Sequence, residues 1–203
     1  MASTVVDRLR GEFAGLIAVL DKAGEISLRS TADDNLRKAL LLAAASHFEH
    51  RITEEVLFFV SETTNDHGLT TSLVRNKAVS RQYHSWFNWD AKNANSFFAL
   101  FGEEFRNFMK NKVDKDDVLD SSIRRFLEIG SIRNRLLHQD FGSFFLEKTS
   151  DEIYDLYRSA MTFVDAFPLA LREFSVALAG LRDQLEEGED HAEPRPAPEH
   201  GNS

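Results

Sequence analysis

Apolar residues recur every three to four positions along nearly the whole chain, which is the period of an amphipathic helix and not of a strand. A first segment, residues 3–23, carries Val6, Leu9, Phe13, Leu16, Ile17 and Leu20 at this spacing, and Gly24 ends it. Thr31-Ala-Asp-Asp34 has the form of a helix start with acids in the first turn. The stripe Leu36, Leu40, Ala43, Ala44, Phe48, Ile52, Val56, Phe59 then predicts a second helix to about Glu62, and Asn65-Asp66-His67-Gly68 a turn. Residues 70–92 are more polar and less regular. With Tyr83, Trp86, Phe87 and Trp89 grouped at their end, they predict a short helix and a loop. Ala94 to Asn111 predicts one further helix, with Phe97, Phe98, Phe101, Phe105 and Phe108 on its apolar side.

Beyond the charged junction Val113-Asp-Lys-Asp-Asp117, a helix is predicted from about Val118 to His138, burying Ile123, Phe126, Leu127, Ile129 and Leu136. Gln139-Asp-Phe-Gly-Ser143 breaks it. Thr149-Ser-Asp-Glu152 is a capping box that opens a last helix through Ile153, Leu156, Tyr157, Met161 and Val164. Pro168 is expected to kink this helix on its way to Leu185. No segment alternates as a strand does and no repeat is visible, so the class is an all-α helical bundle.

Composition narrows the function classes. At 203 residues one domain is expected, residues 1–185, followed by a disordered acidic, Pro-rich tail over 186–203. The absence of Cys excludes disulfides and thiolate metal sites. No apolar run is long enough to span a membrane and the N-terminus lacks a signal pattern, so a cytoplasmic protein with no membrane partner is expected. The net charge of −9 argues against broad coating of nucleic acid, so any RNA contact must rest on a local basic patch. The 17 Phe exceed what a small bundle easily hides, and some are expected at a dimer interface.

The segment with most chemistry is Arg133-Asn134-Arg135-Leu136-Leu137-His138. On a helix Asn134 and His138 share one face, and the long side chain of Arg133 reaches toward the same point. Arg holds a phosphate, and His moves protons near neutral pH, which together suffice for RNA cleavage without a metal. The plainer alternative is a surface helix end whose Arg and His complement the C-terminal dipole. A second Arg-x4-His, Arg195 to His200, lies among prolines and serves as a decoy.

Two long helices, a motif helix ending Arg-Asn-x-x-x-His, a short break and a Thr-x-x-Glu-capped final helix together resemble the HEPN superfamily. Within it the chain looks most like the RiboL-PSP type of bacterial defence and toxin–antitoxin loci. Softer cues are Ala45-Ser-His-Phe-Glu-His-Arg-Ile52 and Asn95-Ser-Phe-Phe-Ala-Leu-Phe-Gly102. The resemblance spans roughly residues 5–180. It implies four core helices with additional ones, a homodimer with a composite site, and a metal-independent endoribonuclease without a cofactor. Arg133, Asn134 and His138 would be its catalytic residues, acting on RNA as a toxin or anti-phage effector under an antitoxin or regulatory protein. Inactive relatives exist, so a non-catalytic module that binds a protein or RNA is the alternative.

Other residues are weighed against blander roles. Glu49 is placed to set the tautomer of His138 or to pair with Arg133, or is simply an exposed helix acid. Arg135, Arg124, Arg125 and Lys110 are candidate RNA contacts, although such charges usually mark a solvated face. His84, Trp86 and Trp89 either stack on bases or clamp the bundle, the clamp being favoured. His47, His50 and Glu54 share a helix face, yet no second Glu-x-x-His helix exists to complete a metal site, and no metal is expected.

Overall fold

The computed structural model describes residues 3–64 and 68–190, the last ten of these by backbone alone. Residues 65–67 of the turn expected at Asn65–Gly68, and residues 191–203 of the tail expected over 186–203, with Arg195 and His200, lie outside the described residues. The chain is all-α. Its helices are α1 (Val5–Ala23), α2 (Ile26–Thr64), α3 (Leu69–Val74), α4 (Tyr83–Trp86), α5 (Asn95–Ala99), α6 (Glu103–Val113), α7 (Asp117–His138) and α8 (Ser150–Asp190), with a π-helical turn at Arg75–Val79. α2 packs against α1, α7 and α8, and α7 lies along α8, so four long helices enclose the core. No described helix is long and apolar enough to cross a membrane.

Local sequence explains most helix ends. Thr4 and Asp7 cap α1 reciprocally, and Gly24 closes it. Asp116 Oδ1 accepts from the amides of Val118 and Leu119 at the start of α7, both at 3.0 Å. At α8 the expected capping box forms: Thr149 N donates to Glu152 Oε2 (2.8 Å) and Glu152 N to Thr149 Oγ1 (3.2 Å).

Three expectations change. α2 starts at Ile26 and not at Thr31, because the turn at Gly24 is tight enough for the helix to restart at once. Thr31 sits inside it and donates its hydroxyl back to the Ser27 carbonyl at 3.1 Å. The helix expected over Ala94 to Asn111 is two helices, broken at Gly102, whose φ of 101° is a conformation other residues rarely adopt. The break turns the phenylalanine stripe inward: Phe97 and Phe101 meet Phe167 at 4.8 and 5.5 Å, and Phe98 meets Phe163 at 6.1 Å. The stripe is therefore core. Finally, α8 continues through Pro168, as expected, but runs on to Asp190, beyond the boundary expected at Leu185 and into the first residues of the expected tail.

The loop after α7 is tied to α2. Lys38, 1% exposed, donates from Nζ to the Phe141 carbonyl (3.0 Å) and to Asp34 Oδ2 (2.8 Å). Arg37 donates to the carbonyls of Leu146 (2.8 Å) and Lys148 (3.2 Å). Within the loop, Phe144 and Leu146 are buried.

Candidate active site

The motif occupies the last turns of α7. Ile132 and Leu136 are buried and hold the helix to the core, while Arg133 and Asn134 are half-buried and Arg135 and His138 exposed. Asn134 Oδ1 accepts a hydrogen bond from Arg133 Nη1 at 3.1 Å. Asn134 also faces two spaces. One is a pocket of about 10 Å³ shared with Arg133, His84 and Gly130, and the other a groove of about 500 Å³ shared with Arg135 and His138. The three motif residues thus border one stretch of surface through Asn134.

Arg133 has a partner from outside the motif. His84 Nε2 lies 2.9 Å from Arg133 Nη2, and Nδ1 lies 3.3 Å from Nη1. Arg is always a donor, and a neutral imidazole has one lone pair, so only one of these is a full hydrogen bond. The shorter distance assigns the lone pair to Nε2. Burial, and then the Arg133 charge, holds His84 below the ordinary histidine range, with Glu49 opposing. Glu49 Oε2 sits 3.6 Å from the same Nε2, so Glu49 faces His84, a contact that becomes an ion pair only when the ring is protonated.

The segment that carries His84 is clipped across α7. Arg81 takes a positive φ of 63°, which reverses the chain just before α4. Tyr83 and Trp86 are buried, and Trp86 Nε1 donates to the Ala78 carbonyl at 3.2 Å. Trp89 Nε1 donates to the carbonyl of His84 itself at 2.9 Å. The Trp89 ring lies directly on Gly130, where a Cβ would come within 1.9 Å of it. Ser131 Oγ donates to Asp90 Oδ1 at 3.3 Å. The aromatic cluster is therefore a clamp, as favoured from sequence, and its product is the position of His84.

Sequence reasoning did not join His84 to Arg133. The signal available was Gly130, a residue that costs about 1 kcal/mol in mid-helix relative to Ala and so marks a close approach.

The basic candidates are dispersed. Arg135 and Arg124 line a second groove of about 480 Å³ with Lys92 and Lys148. Arg124 is paired with Asp120 at 2.7 Å, and Arg125 with Glu128 at 3.2 Å. Lys110 is exposed on α6 and lines none of these spaces. His47 Nδ1 is hydrogen-bonded to the Tyr157 hydroxyl at 2.8 Å, and burial lowers its pKa. Among the described residues no three His, Asp or Glu side chains gather as a metal site would need.

The model of the RiboL-PSP-HEPN family matches residues 8–173, from α1 into α8 and across Glu49, His84 and the whole motif. No curated protein and no solved structure matches the chain. A match over that much of the sequence decides the assignment: the chain belongs to the RiboL-PSP-HEPN family.

Proposed function

We propose that this protein is a metal-independent endoribonuclease whose site is Arg133, Asn134 and His138, working as a toxin or anti-phage effector in the cytoplasm. The observation that carries the reading is the shared surface at Asn134, which touches Arg133 on one side and borders the groove of His138 on the other. In the reaction the RNA 2′-oxygen attacks phosphorus, a 2′,3′-cyclic phosphate forms, and the 5′-oxygen leaves with a proton. His138 serves as general base or acid at neutral pH. Arg133 stabilises the charge gathering on the phosphate oxygens. Asn134 orients the guanidinium or the phosphate. A single-stranded or loop RNA suits this best, since its backbone can align the attacking hydroxyl.

A homodimer completes the proposal, placing two motif helices face to face so that one histidine serves each proton. Leu137, Phe141 and Phe145 stand exposed around the end of α7, at 49%, 43% and 74%, and would be covered there. In so acidic a chain the phosphate contacts must be local: Arg135 lines the His138 groove and, with Lys92, the second groove as well. An antitoxin or regulatory protein is the natural second partner of such an effector.

The test is cleavage of total RNA in EDTA. Wild type is expected to cut and leave cyclic-phosphate ends, while Arg133→Ala and His138→Ala lose about a hundredfold or more with the dimer intact. Retained cleavage in both variants would sink the assignment. One observation favours a second reading, a non-catalytic binding module: the guanidinium of Arg133 is already engaged by His84 and Asn134. RNA or protein binding by wild type without cleavage, unchanged in both variants, would establish that module.

A further inference from the structure

The cluster beside Arg133 holds a histidine that the chemistry above does not use. His84 stands between charged groups of two helices, Glu49 of α2 and Arg133 of α7. The space beside it, about 10 Å³, admits one water and no nucleotide. The ring is half-exposed, and the side-chain groups within polar contact of its nitrogens are the Arg133 guanidinium and the Glu49 carboxylate. The ring is itself held, edge-on to Tyr83 with centroids 5.4 Å apart, and its backbone carbonyl accepts from Trp89 Nε1. Arg133 is thus gripped on two sides, by Asn134 Oδ1 at 3.1 Å and by His84 Nε2 at 2.9 Å. Holding the guanidinium where charge develops on the phosphate means that it need not reorganise in the transition state.

We infer that His84 is a positioning residue that accepts a hydrogen bond from Arg133 and fixes its guanidinium for the phosphate, with Glu49 as its alternative partner. The inference rests on the nuclease reading above. Only the neutral ring can make this contact, because a protonated imidazole has no lone pair. When protonated, Nε2 turns from acceptor to donor, Glu49 Oε2 at 3.6 Å becomes its partner, and Arg133 is repelled. Glu49 and Arg133 are the charged groups that face His84, and the neighbouring Tyr83 hydroxyl is kept neutral by burial.

Two substitutions separate positioning from space-filling. His84→Gln offers an amide oxygen to Arg133, and is expected to keep kcat within about threefold of wild type. His84→Phe fills the space without an acceptor, and is expected to lose about tenfold to a hundredfold, in kcat and not in KM. Wild-type activity in His84→Phe, or equal loss in both, overturns the inference. A nuclear magnetic resonance titration of the imidazole nitrogens tests the contact without relying on activity or on the folding of a His84 variant. The His84 pKa should rise in Arg133→Gln, and an unchanged value overturns the inference. If wild type cuts no RNA while the titration still moves, the nuclease reading falls and the His84–Arg133 contact is supported.

Discussion

Gly130 shows how much one residue decides here. It lies in the middle of α7 with the Trp89 ring against its backbone, and that ring is fixed from the other side by Phe87 and Phe126 at 4.9 and 5.8 Å. Gly130→Ala would gain about 1 kcal/mol of helix propensity. It would also force the indole off α7, a packing conflict larger than that gain. The expected net effect is a destabilisation of about 1–3 kcal/mol in urea unfolding, with loss of the proposed nuclease activity because His84 moves with Trp89. Adding Trp89→Ala removes the clash, so the double variant should lose less from the glycine substitution than wild type does. Equal losses would mean that the indole is free to move.

At the scale of elements, the loop between α7 and α8 matters most, since it follows His138 directly. α2 positions it through Arg37 and the buried Lys38. Lys38→Met keeps the aliphatic stem and leaves the Phe141 carbonyl without its donor, while Asp34 still has Arg37 at 3.3 Å. The expected effect is a loss of about 1–3 kcal/mol, with faster amide exchange over residues 140–148 and unchanged protection in α8. Uniform loss of protection would show that Lys38 supports the whole bundle and not the loop. Neither cation drew notice in the sequence, because a Lys on a helix is ordinarily solvated.

On the scale of the whole molecule, the half-buried histidines His47 and His84 couple folding to pH. His47 bridges α2 to Tyr157 of α8, whose hydroxyl also reaches Thr4 at the start of α1 (3.0 Å). Burial lowers the pKa of both His47 and His84. The unfolded chain then binds more protons once pH drops below the ordinary histidine value of about 6.5. Stability from these groups is complete above that value and declines as pH falls toward the depressed ones. Asp7, lowered first by its bond from Tyr154, acts only at more acid pH. Urea midpoints should therefore fall between pH 7.5 and 5.5, and the drop should shrink in the His47→Gln, His84→Gln double variant. An unchanged drop would place the dependence elsewhere.

What the sequence determined by itself is what short-range physics controls. Periodicity set the all-α class, local side chains set the caps of α1, α7 and α8, and the motif's spacing put Asn134 and His138 on one face. Those are interactions within a few residues of chain. The tertiary structure alone decided which distant groups meet. It joined Glu49, His84 and Arg133, whose separations of 35 and 49 residues carry no periodic signal. It brought Trp89 down on Gly130, and it turned the phenylalanine stripe into core by breaking the chain at Gly102. The reason is physical: a local pattern fixes the face a residue occupies, while its partner across that face depends on how whole helices pack.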